Sequence, residues 1–89
     1  MNDATMLEML KVDLGISTTA YDVRLTQYIT SAKDYIQREG ISLNDEKGSD
    51  MNLVVMYASW LWSKRDTNEA MPRMLRWNLN NRLFEEKVS

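Results

Sequence analysis

The chain has no cysteine and no histidine, and it has only one proline and three glycines among its 89 residues. The missing cysteine excludes disulfides, thiolate nucleophiles and zinc sites built on cysteine. The missing histidine removes the commonest general base and the commonest ligand of transition metals. The scarcity of glycine and proline excludes collagen-like and low-complexity chains.

Long apolar runs are also missing, since no stretch approaches the roughly 18 consecutive apolar residues that predict a membrane span. The opening residues, Met-Asn-Asp-Ala, lack the basic start and apolar run of a signal peptide. We therefore expect no membrane partner and a protein that is made and kept in a cytoplasm.

The charge is acidic overall but uneven along the chain. The formal net charge is −2, and the isoelectric point of about 5.0 argues against a bulk nucleic-acid binder. Residues 1–50 carry five basic and nine acidic side chains, a net −4, whereas residues 51–89 carry six and four, a net +2. Two such halves would attract each other in a head-to-tail contact between copies. Ordinary variation of surface charge explains the pattern equally well.

Four helices are predicted, and we expect them to form a single domain over residues 1–89. The first runs over about residues 5–14, with Asp3 as the expected N-cap and Gly15 as a left-handed C-cap. The second starts at a Ser/Thr-x-x-Asp signal at Thr19 and is closed by Gly40. Its apolar side chains recur every three or four residues: Tyr21, Leu25, Tyr28, Ile29, Ala32, Tyr35 and Ile36.

The third predicted helix, from about Met51 to Lys64 or Arg65, is apolar on nearly every side. We expect Ser49 or Asp50 to cap it. A helix that is apolar all round lies in the centre of a fold or faces a partner chain.

Pro72 predicts the first turn of a fourth helix, and we expect residues 85–89 at its end to fray. Its core stripe recurs at intervals of four residues: Met71, Leu75, Leu79 and Leu83. The apolar faces of all four segments together predict an all-α fold, a compact bundle of about four helices with the third helix central.

Trp60, Trp62, Trp77 and Phe84 are more large aromatic side chains than so small a core obviously holds. Part of this aromatic surface is a candidate protein–protein contact, because exposed apolar patches mark interaction sites. The alternative is that all four lie in the core.

No catalytic constellation stands out. Glu85 and Glu86 are adjacent, so on a helix their side chains point about 100° apart, which is poor geometry for shared acid–base chemistry. The three glycines are isolated, which excludes a phosphate-binding loop, and residues 44–46 do not fit a calcium loop. We therefore expect neither an enzyme nor a bound metal or cofactor.

A second hypothesis is a small DNA- or RNA-binding regulator that uses the fourth helix. Arginine and asparagine, the usual readers of base edges, are concentrated there: Arg73, Arg76, Asn78, Asn80, Asn81 and Arg82. However, Arg73 and Arg76 share a face, whereas Arg82 points elsewhere. The third helix is also too apolar to lie in a groove. A solvated basic face, or ion pairs to an acidic neighbour, is the favoured explanation.

The order of motifs resembles that of a known family. The motifs are Leu10-Lys11-x-x-Leu14-Gly15-Ile16, Asp22-x-x-Leu25-x-x-Tyr28-Ile29-x-x-Ala32-x-x-Tyr35-Ile36, Ala58-Ser59-Trp60-x-x-x-Lys64-Arg65-Asp66, Met71-Pro72-x-x-Leu75 and Asn81-Arg82-Leu83. From about Met6 to Leu83 the chain resembles the small head–tail connector (adaptor) proteins of tailed double-stranded-DNA phages and prophages.

This resemblance implies a structural protein of the virion that is assembled in the cytoplasm of the bacterial host. Such proteins form a homo-oligomeric ring beneath the portal protein and offer a docking surface to a downstream head-completion or tail protein. Genomic DNA passes through the channel of the ring without sequence-specific contact.

The resemblance also implies roles for particular residues. Trp60 or Trp62, and Trp77 or Phe84, would be apolar anchors of the interface. Three basic residues would meet acidic faces of a neighbour: Arg73, Arg76 and Arg82 against residues such as Asp22, Asp34 or Glu39.

Overall fold

The computed structural model describes residues 2–88, and within that range four α-helices are joined by turns and loops, with no strand. The four helices are α1 (Asp3–Leu14), α2 (Asp22–Arg38), α3 (Gly48–Lys64) and α4 (Arg73–Val88). The prediction of an all-α bundle of about four helices is confirmed.

Helix α3 lies in the centre and packs against each of the other three helices. Its buried side chains are spread around the helix: Asp50, Leu53, Val54, Val55, Tyr57, Ala58 and Leu61. Helix α2 contributes Leu25, Ile29, Ala32 and Ile36, while α1 contributes Met6 and Leu10. Burying each large aliphatic side chain stabilises the fold by about 1.5–3 kcal/mol. The all-round apolar sequence of α3 thus reflects its central position, as predicted.

The N-terminal caps differ from the sequence prediction. Asn2, rather than Asp3, caps α1, because its Oδ1 accepts a hydrogen bond from the Thr5 N–H at 3.1 Å. Asp3 instead pairs with Lys33 Nζ of α2 at 2.6 Å. Helix α2 begins without a side-chain cap, since Thr19 contributes its backbone carbonyl, which accepts from the Asp22 N–H at 3.2 Å.

Neither residue expected to cap α3 does so, because the helix begins at Gly48 and its N-cap position, Lys47, makes no side-chain bond. Ser49 and Asp50 therefore lie inside the first turn. Asp50 is turned into the protein, where other partners bind its carboxylate.

The expectation that the end of α4 frays is wrong for residues 85–88, which are helical, while Ser89 lies outside the described residues. Two contacts with the α2–α3 connector hold this end. Glu85 pairs with Lys47 Nζ at 3.0 Å, and the Glu86 carboxylate accepts a hydrogen bond from the Ser42 N–H. These tertiary contacts prevent the fraying that is usual at a helix end, here the C-terminal end of α4.

Substituting alanine at Gly15 and at Gly48 is expected to change stability in opposite directions. Gly15 ends α1 with a φ of +70°, so a Cβ there is strained although no atom lies within 4 Å of it. Gly15→Ala should cost about 1–2 kcal/mol of the free energy of unfolding. Gly48 has helical geometry and equally open space, so Gly48→Ala should add about 0.4–1 kcal/mol. Urea denaturation of both variants checks the difference, and equal effects would contradict it.

Candidate protein-interaction surface

One face of α4 fixes the helix to the rest of the protein. Leu75 and Leu79 are buried and Leu83 is half-buried, so the predicted core stripe faces α3. Arg76 of α4 also reaches Glu39 at the end of α2, with Nη1 to Oε1 at 2.9 Å. These contacts determine which face of α4 points outward.

A buried ion pair between α3 and α4 is the strongest polar anchor of this face. Arg82 Nε lies 2.8 Å from Asp50 Oδ1, and Arg82 Nη2 donates to the Ser42 carbonyl at 2.7 Å. The Asn44 N–H donates to Asp50 Oδ2 at 2.9 Å. The side chains of Arg82 and Asp50 are only 13% and 1% exposed. The pair therefore joins both helices and the connector between α2 and α3.

The environment of Asp50 lowers the pKa of its carboxyl group. Burial by itself raises this pKa, but the hydrogen bonds from Arg82 and from the Asn44 N–H, with the positive charges of Arg82 and Lys47, outweigh burial. The charged form of Asp50 is thus favoured in the folded protein.

Acid is expected to weaken the fold through this carboxyl. A group whose pKa is lower in the folded state stabilises it fully above its unfolded pKa of about 3.9. That stabilisation is lost as the pH falls from this value through the lower folded pKa. The free energy of unfolding should therefore drop less between pH 5 and pH 2 in Asp50→Asn than in the wild type. Urea titrations at several pH values measure this, and parallel pH curves for the two proteins would refute the role of Asp50.

The opposite face of α4 carries a row of exposed apolar side chains. Met74 and Trp77 are each 61% exposed, Phe84 is 67% exposed and Val88 is 66% exposed. With the exposed Asn81 between them, these residues recur at alternating steps of three and four and lie along one face of the helix. We call Met74, Trp77, Asn81, Phe84 and Val88 the outer stripe.

The other two tryptophans are half-buried and have partners inside the chain. The Trp62 ring contacts Tyr21 and Tyr28 edge-on, at centroid distances of 5.5 and 6.1 Å. Trp60 Nε1 donates to the carbonyl of Glu69 at 3.4 Å. The alternative that all four large aromatics lie in the core is wrong, because Trp77 and Phe84 are outside it.

Two of the three arginines predicted at the interface have intrachain partners, Arg76 with Glu39 and Arg82 with Asp50. Arg73 is exposed and makes no ion pair within residues 2–88. The acidic residues expected to receive these arginines are also paired within the chain: Asp22 with Lys11, Asp34 with Arg38 and Glu39 with Arg76. The interface role of the arginines stays a prediction.

Trp77 and Phe84 were predicted from the sequence as interface residues, but Met74 and Val88 were not included with them. The signal was present, because positions 74, 77, 81, 84 and 88 follow the three-and-four spacing of a heptad. The ion pair between Asp50 and Arg82 was not predicted, because no local sequence motif indicates it.

Within residues 2–88, no group of three or more carboxylates is placed to hold a metal ion. None of the described helices combines the length and the apolar character needed to cross a bilayer.

Comparison with known families agrees with this architecture. The family model of the phage gp6-like head-tail connector protein matches residues 4–80, which is most of the chain. The chain belongs to this family, a structural and non-enzymatic one whose members are virion components that interact with other phage head and tail proteins. Neither the curated proteins nor the solved structures give a match to the chain.

Proposed function

We propose that this protein forms a ring between the phage portal and a downstream head-completion or tail protein. The ring assembles in the host cytoplasm and becomes part of the virion. It continues the channel through which genomic DNA passes, without reading its sequence. The outer stripe of α4 is the observation that carries the proposal, since it offers a row of apolar side chains that the chain itself does not cover.

A ring requires two different surfaces on every subunit, because a head-to-tail contact repeats around the axis. The outer stripe supplies one apolar surface, and large exposed apolar patches mark contacts with other proteins. The interface residues we propose are Trp60, Trp62, Trp77, Phe84, Arg73, Arg76 and Arg82, with the outer stripe making the main apolar contribution.

The proposal is tested by measuring assembly directly. Sedimentation velocity and negative-stain electron microscopy of the purified chain, alone and mixed with portal complexes, should show rings or oligomers that grow with concentration. A protein that stays monomeric at high concentration and has no affinity for portal protein would overturn the proposal.

The same preparation tests the nucleic-acid hypothesis. Binding to duplex DNA that falls steeply with salt would favour a regulator, whereas flat binding curves at low salt would remove that hypothesis. The ion pairs of Arg76 and Arg82 within the chain favour the assembly role, because they occupy two of the cations that a regulator would use on phosphates or bases.

A further inference from the structure

A groove lies where the end of α1 and the middle of α3 meet the start of α4, with a cavity volume of about 240 Å³. Met56 and Trp60 of α3 and Met74 of α4 form its apolar surface. The acidic residues Asp13 of α1 and Glu69 of the α3–α4 link also line it, and Lys64 Nζ lies over the Trp60 ring at 4.4 Å from its centroid. We call this the acidic groove.

The chemistry of the acidic groove defines what fits it. Neither Asp13 nor Glu69 makes an ion pair within residues 2–88. The cavity is smaller than the roughly 300–1,000 Å³ of sites for drug-sized ligands. An apolar side chain with a cation beside it matches both the size and the charge, because it fills the apolar space and neutralises the carboxylates.

The last turns of α4 present such a group on the surface of the same chain. Phe84, Lys87 and Val88 are spaced three and four residues apart, so they lie on one side of the helix. Phe84 and Val88 are exposed, and Lys87 is exposed without an ion pair within residues 2–88. We call these three residues the α4 tip.

We infer that the α4 tip of one copy binds in the acidic groove of a second copy. Phe84 enters the apolar space against Met56, Trp60 and Met74, while Lys87 pairs with Asp13 or Glu69. This inference rests on the proposed ring and assigns one contact between its subunits, in which Phe84 and Val88 form the C-terminal end of the outer stripe.

The positions of the two surfaces require a second copy. The acidic groove lies at the start of α4 and the tip at its end, about 18 Å apart at 1.5 Å per residue. A straight helix does not bring its own end back to its start. Two different surfaces on one subunit give a contact that repeats from copy to copy and closes into a ring.

A symmetric pairing of two outer stripes is less favourable. If two α4 helices packed antiparallel, Arg73 of one copy would approach Lys87 of the other, at both ends of the contact. Like charges placed together oppose association. In the acidic groove, in contrast, Lys87 would meet an acidic residue, Asp13 or Glu69.

Charge reversal tests the contact. Lys87→Glu, and the double variant Asp13→Lys with Glu69→Lys, should each weaken self-association at least tenfold in sedimentation equilibrium, with portal complexes added if assembly needs them. The chain that carries all three substitutions should recover assembly, because the charges are exchanged. Phe84→Ala should weaken association as Lys87→Glu does. The matched control is Arg24→Glu, which reverses another exposed cation without an ion pair within residues 2–88 and should assemble like the wild type.

The outcomes separate this inference from the proposed function. If Lys87→Glu and Phe84→Ala form rings as the wild type does, the inference is overturned and the proposed ring is unaffected. The same conclusion follows if the triple variant keeps its helical circular dichroism but does not recover assembly. If the wild type forms no oligomer, alone or with portal, both are overturned.

Discussion

Asp50→Ala is expected to lower the free energy of unfolding by about 3–5 kcal/mol, the usual effect of removing one partner of a buried ion pair. The substitution removes the nearest charge partner of the Arg82 guanidinium, which is only 13% exposed, and leaves it the longer contact with Glu86 at 3.7 Å. It also removes the acceptor of the Asn44 N–H. Because Arg82 joins α4 to the rest of the bundle, the loss should affect the docking of α4 first.

The matched control for Asp50→Ala is Asp34→Ala. Asp34 pairs with Arg38 at 2.9 Å, but both side chains are more than half exposed, so its removal should cost less than about 1 kcal/mol. Urea denaturation followed by circular dichroism measures both variants. Equal midpoints for the two would show that the Asp50–Arg82 pair does not anchor α4.

Trp77→Ala is expected to leave the fold intact and to weaken assembly by at least about 2 kcal/mol, roughly a thirtyfold loss of affinity, as for the central aromatic of an interface. Trp77 is 61% exposed, so its removal should change the free energy of unfolding by no more than about 0.5 kcal/mol. Sedimentation equilibrium measures the first effect and urea denaturation measures the second.

Trp62→Ala, unlike Trp77→Ala, should lower the free energy of unfolding. The Trp62 ring contacts Tyr21 and Tyr28 edge-on, and each such contact is worth about 0.5–1.5 kcal/mol. Its loss should therefore appear in stability. If Trp77→Ala instead loses helical signal, Trp77 belongs to the core, and if it assembles normally, Trp77 lies outside the interface.

The sequence was sufficient for the helical architecture because α1, α2 and α4 each carry an apolar stripe and α3 is apolar on nearly every side. Helix α3 could be placed in the centre because it is apolar on nearly every side, and the four-residue repeat of Leu75, Leu79 and Leu83 identified the inner face of α4. Once that face was known, Trp77 and Phe84 had to point elsewhere, since helical geometry fixes the angle between them and the leucines.

The polar contacts could not be predicted in the same way. Arg82 and Asp50 are 32 residues apart, and Arg76 and Glu39 are 37 apart, so their pairing depends on how the helices are packed. Asp50 had the local character of a helix cap, but the approach of Arg82 and the Asn44 N–H gave its carboxylate other partners. The acidic groove combines α1, α3 and α4 and likewise has no signature in any single segment.

Asn81, in the middle of the outer stripe, has a consequence for selectivity. A stripe made only of apolar side chains would bind almost any apolar surface. Burying the Asn81 amide without a hydrogen bond costs about 1–3 kcal/mol. A partner that lacks a polar atom at this point would therefore bind less tightly. In the proposed interface, one carboxamide among four hydrophobic side chains would thus disfavour partners that lack a matching polar atom.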